Sequence, residues 1–143
     1  MTLDGQAVLD WREAKAETQA KEREIVATLD KQAVAEVEQR DTGVLMSCRG
    51  ERMYSWAGGT RVTMADSSQA QPAIEKLAAR WGSEPSHSIK TRTDLAGHLA
   101  ITVLPAEGGS YLAGLIRDGE LIQFYCFSRC FELPEGTWPG GSF

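Results

Sequence analysis

A chain of 143 residues holds one domain and is too short for two comfortable ones. Hydrophobic residues at 42% and charged residues at 24% are ordinary for a globular protein, and a net charge of −5 weighs against nucleic acid or an acidic membrane surface as the main partner. No run approaches the ~20 apolar residues of a membrane helix, and Met1 opens directly into polar sequence without a signal-peptide pattern. The charge is uneven: residues 1–42 carry ten acidic and six basic side chains, so the body beyond them is close to neutral.

Residues 6 to about 30 read as a helix, since helix formers dominate and neither Gly nor Pro follows Gly5. Trp11, Ile25 and Leu29 fall roughly on one side, but Glu13 to Glu24 offers only alanines as apolar contacts. That pattern predicts a surface helix touching a sheet at both ends. Val34, Val37, Val44, Leu45 and Met46 are strand-like, with Asp41-Thr42-Gly43 as a turn between two short strands; a competing reading extends the helix to Glu38. Arg49-Gly50-Glu51-Arg52 then turns into a long strand from Met53 to Met64. Gly58-Gly59 inside it predicts a bulge or a close backbone approach.

Asp66-Ser67-Ser68 is a helix-start cluster, and Ile74, Leu77, Ala78 and Trp81 form the stripe of a helix over about residues 67–82 that Gly82 closes. Ser86 to Thr91 reads as an edge strand. Gly97 to Phe131 organises the rest as three antiparallel strands. Asp118-Gly119 predicts a type I′ hairpin turn that pairs Leu115 with Ile122, Ala113 with Phe124 and Tyr111 with Cys126. Leu99, Ile101 and Val103 then fall beside Leu115, Ala113 and Tyr111, giving an apolar face and an opposite, solvated face with Ala100, Gly114 and Gln123. The tail 132–143 is rich in Pro and Gly. The whole predicts one α+β domain, a two-layer sandwich of a mainly antiparallel sheet with two helices on one face.

Residues with chemical potential are few. His87 and His98 would need cysteine help to hold zinc, and Cys126 with Cys130 lacks a second clustered pair, so no metal or cofactor site is expected. Cys126 shares a face with Ile122 and Phe124, which predicts an inert buried thiol rather than a nucleophile. No carboxylate pair and no phosphate loop stands out, and an enzyme is not expected. Arg49, Arg52, Tyr54, Trp56, Arg61, Tyr125, Arg129 and Trp138 are the residue types that anchor binding surfaces, with core as the favoured reading of Tyr54 and Trp56 and a binding surface as the alternative. By count alone, the three cysteines fit three free thiols in the cytosol or one disulfide with a buried thiol after export.

Gly43-Val-Leu-Met-Ser-Cys48, Tyr54-Ser-Trp56-Ala-Gly-Gly-Thr and Ser128-Arg-Cys130-Phe131, after a long polar helix and before a Pro/Gly tail, resemble the mature domains of small actinobacterial lipoproteins of unknown function. The likeness covers most of residues 6–143 and departs at the start, where neither a signal sequence nor a lipid-acceptor cysteine stands. It implies that both precede Met1 in the native protein, that the first helix is the stalk-side element, and that Cys48 is bridged to Cys130. It supplies no catalytic residues. The expected function is a non-catalytic, extracytoplasmic binding or cell-envelope interaction domain, membrane-held only through a lipid anchor, with a protein or envelope ligand as partner. The alternative is an intracellular interaction module such as an immunity or antitoxin protein.

Overall fold

The computed structural model describes residues 9–143. Helix α1 spans Trp11–Val26. Asp10 caps it: its carboxylate accepts from the Glu13 amide at 2.8 Å while the Glu13 carboxylate accepts from the Asp10 amide at 3.1 Å. The first residues of the expected helix, 6–8, lie outside the described residues. The helix also ends earlier than its composition suggests, because the Thr28 hydroxyl donates to the Ile25 carbonyl and Asp30 accepts from the Gln32 amide in a tight turn. Its inner face carries Ala14, Thr18, Glu22, Ile25 and Val26, all buried. The expectation of contact only at the two ends is therefore corrected. The stripe recurs every four residues, and its middle is buried through a hydroxyl and a carboxylate that hydropathy reads as surface.

Among the described residues, eight strands form one antiparallel sheet: β1 (Val34–Gln39), β2 (Val44–Ser47), β3 (Met53–Met64), β4 (His87–Thr93), β5 (Leu99–Pro105), β6 (Ser110–Ile116), β7 (Leu121–Phe127) and β8 (Phe131–Glu132). The order is β1-β3-β7-β6-β5-β4. Strand β3 is long enough to take two partners on each edge, β1 and β2 on one and β7 and β8 on the other. Gln39 pairs with Thr60 and Val44 with Ala57, so residues 40–43 do not reverse the chain. They are a bulge within one run that follows the β3 edge throughout, which corrects the turn read at Asp41 to Gly43. The Phe143 amide and carbonyl exchange hydrogen bonds with Gly43 there, and the tail closes over that end of the sheet.

The β5-β6-β7 meander has the predicted register, with Ile101 beside Ala113 and Ala113 beside Phe124. Asp118 and Gly119 both take positive φ, as a type I′ turn requires, and Arg117 joins them. The two glycines of β3 mark close approaches: a Cβ on Gly58 would lie 2.2 Å from the Trp56 ring, and one on Gly59 would lie 2.7 Å from the Phe124 carbonyl oxygen.

A 3-10 turn, Ser67–Gln69, capped by Asp66, leads into α2 (Ala70–Gly82). Both helices cover the same face of the sheet. Ile74, Leu77 and Trp81 of α2 and Ile25 and Val26 of α1 meet Val62, Ile101, Val103, Ala113, Ile122 and Phe124 in one core. A second cluster joins Ala14, Trp56, Phe131, Leu133 and Phe143 at the other end of β3. Cys48 and Cys130 form a disulfide there, with Cα atoms 6.4 Å apart, between the two strands that flank the start of β3. Cys126 is a buried thiol.

Candidate functional site

The arginines and aromatics nominated from sequence do not converge. Trp56 is 1% exposed, and its indole N–H donates to the Phe143 carbonyl. It is core, which corrects its place on a binding surface, and Tyr54 packs partly buried beside it. Arg52 pairs with Glu132 and Glu135, and Arg129 with Glu17 of α1. Arg49 and Trp138 are exposed on separate segments. Only Arg61 and Tyr125 share a feature, a shallow cavity of about 380 Å³ on the helix-free face of the sheet with Glu38, Arg40 and Gln123.

His87 and His98 stand at opposite ends of the β4-β5 hairpin. The first lies tilted against Trp81 and 3.2 Å from the Lys21 amine; the second lies 3.8 Å from the Asp94 carboxylate.

A different site emerges between α1 and the β1 edge. The helix lies over β3 and β7 and leaves the inner face of β1 partly uncovered, with Val37 47% exposed. An apolar groove of about 310 Å³ results, walled by Val26, Ala27, Leu29, Val34 and Val37. Pairing along the sheet orders its length: Val34 sits opposite Met64, Val37 opposite Val62, and Gln39 opposite Thr60. Lys31 lines it as well, and Arg23, Gln39 and Thr60 complete the lining.

Gln39 and Thr60 also belong to a polar seam beneath α1. Gln39 Nε2 donates to the Glu22 carboxylate and to the Gln19 carbonyl, both at 3.0 Å, while its Oε1 accepts from Arg23 at 2.9 Å. The amide thus clips the edge strand to the helix through three hydrogen bonds. Glu22 Oε2 and Thr60 Oγ1, each on a residue 1% exposed, have no hydrogen-bond partner. Such orphans cost free energy on the order of 1–3 kcal/mol each unless something satisfies them. Thr60 lines the groove.

Deeper still, burial pushes the Cys126 thiol up, and the Glu22 carboxylate beside it pushes the same way. Burial likewise raises the Tyr111 hydroxyl, against a hydrogen bond with Thr18 that lowers it. A thiol held protonated is a poor nucleophile.

Sequence reasoning passed over this site. Its polar members, Glu22, Gln39 and Thr60, lie on three different elements, and Thr60 reads as an ordinary strand residue. The one available signal was the four-residue spacing Ala14, Thr18, Glu22, which is a helical stripe of small and polar residues.

No family model, curated protein or solved structure matches this chain.

Proposed function

We propose that this chain is a non-catalytic, extracytoplasmic binding domain of lipoprotein type that takes its ligand in the groove between α1 and β1. The observation that carries the reading is the groove itself: an open apolar channel between α1 and the β1 edge, with Arg23, Gln39 and Thr60 towards one end. Ligand sites are typically concave and apolar with a few placed polar groups, and about 300 Å³ is the low end of their range. Two further features support the location. The Cys48–Cys130 bridge suits an oxidising compartment, and the resemblance to exported lipoprotein domains points the same way.

The test is a titration with prodan, an uncharged naphthalene dye that brightens in apolar surroundings. Saturable 1:1 enhancement is expected, lost in Val37→Glu because a carboxylate would then project into the groove. Val37 is half-exposed, so the variant should keep the melting temperature of the parent protein. Equal dye binding by Val37→Glu would move the ligand site elsewhere.

A further inference from the structure

The face of the sheet away from α1 and α2 is more apolar than water alone explains. Alternation turns Val44, Leu104, Leu112, Ile116, Tyr125 and Phe127 to that side. Val44 and Tyr125 are each 51% exposed and the other four are half-buried. A sheet with one solvated face ordinarily places polar side chains at such positions. We infer that two copies of this chain pack through this face, sheet on sheet, about a two-fold axis that runs along the strands between β6 and β7.

Charge at the two edges selects a second copy as the occupant. On this face β1 presents Glu36 and Glu38, and β4 presents Lys90 and Arg92, all four exposed. Among the described residues none of the four has an ion-pair partner. The strand order β1-β3-β7-β6-β5-β4 sets the acids on one edge and the bases on the other. A half-turn about the axis between β7 and β6 exchanges the edges, so each acidic pair comes over the basic pair of the second copy. Both edges are matched by one operation, as an isologous contact requires.

Side-chain size in the middle of the face follows the same operation. Phe127 pairs with Ser110, Tyr125 with Leu112 and Gln123 with Gly114 across β7 and β6. The half-turn lays β7 over β6 of the second copy, so Phe127 comes over Ser110 and Gln123 over Gly114. Large groups then face small ones, the condition for interdigitation. A uniformly twisted sheet is carried onto its own shape by such a half-turn, and two copies nest about 10 Å apart as in a sandwich.

The area is sufficient. The six strands of the main path, most of them seven residues long, make a face about 29 Å by 23 Å. Two copies would cover about 1,300 Å² between them, inside the range of about 1,200–2,000 Å² for specific interfaces. Arg40 is the exception to the charge match. It lines this face in the row of Gly59, Tyr125, Leu112, Thr102 and Lys90, so the half-turn brings it towards the second copy's Lys90.

Sedimentation equilibrium of the full chain tests the arrangement. The unmodified protein should form a dimer that weakens in about 0.5 M salt, where exposed charges are screened. One variant carries Glu36→Lys and Glu38→Lys, and the other carries Lys90→Glu and Arg92→Glu. Each should weaken self-association at least about tenfold at an unchanged melting temperature, because the altered side chains are exposed. An equimolar mixture of the two variants should dimerise like the parent protein, since every edge then meets the opposite charge. Arg40→Glu removes the like charge and should tighten the parent dimer. Protein that stays monomeric at about 1 mM would overturn the interface. A dimer indifferent to both variants would place the contact on another surface and overturn it as well. Variants that dissociate but fail to pair with each other would contradict the two-fold edge match.

Discussion

Gln123 and Phe124 are neighbours in β7 that point to opposite faces of the sheet, and sequence patterning alone gives them opposite fates. For Phe124 the pattern is right: it is 1% exposed in the main core, and Phe124→Ala should cost about 3–5 kcal/mol in chemical denaturation. For Gln123 it is not. The expected solvated face would make Gln123→Ala nearly silent, but the side chain lies back on the sheet, 9% exposed. Its amide donates to the Thr60 and Phe124 carbonyls. Ala100, on the same face, is 6% exposed and also departs from the solvated reading. We expect Gln123→Ala to cost about 1–2 kcal/mol, since it removes a side chain bonded to two buried carbonyls. A cost within about 0.5 kcal/mol would restore the solvated face. Alternation fixes which side a residue takes, and whether that side is wet depends on how the side chain folds over its neighbours.

At the scale of an element, α1 is where reading from sequence was weakest. Its existence was visible in a run of helix formers, but its ends and its buried face were not, because Thr18 and Glu22 count as surface on any hydropathy scale. Their burial makes sense only once β3 and β7 lie beneath, with Thr60, Tyr111 and Cys126 as neighbours. This seam gives the protein an alkaline signature. Below about pH 9 the Cys126 thiol is protonated whether the chain is folded or unfolded, so it contributes no pH dependence there. Above that value the unfolded thiol ionises while the buried one does not, and stability should fall by about 1.4 kcal/mol per pH unit. Tyr111 adds to the fall above its ordinary value of 10.0. Unfolding free energies measured on either side of this range should show the decline, with a shallower slope in Cys126→Ala. An identical slope in the variant would mean that Cys126 is not held protonated by the fold.

Across the whole molecule, the two-layer plan follows from features the sequence displays openly: the Asp118-Gly119 turn, the α2 stripe and the alternation of β5 to β7. What was hidden is long-range pairing. Nothing local announces that β1 and β2 lie end to end on one edge of β3, or that Phe143 returns to pair with Gly43. The disulfide consolidates this end of the sheet, joining strands on both sides of β3 across a separation of 82 residues. Closing a loop of that size constrains the unfolded chain by about 4–5 kcal/mol in the entropic account. Reduction should therefore lower the melting temperature markedly, as should Cys48→Ser or Cys130→Ser, and Cys126→Ser should not reproduce that disulfide-linked loss. Equal melting of reduced and oxidised protein would show that the bridge is dispensable to the fold.

The most direct test of ligand capture between α1 and β1 is amide chemical-shift mapping during a prodan titration of the isotope-labelled protein. The account predicts shifts confined to residues 23–39 and Thr60, with the helix-free face around Arg61 and Tyr125 unmoved. Shifts centred on Arg61 and Tyr125, with Val37 and Thr60 silent, would contradict it.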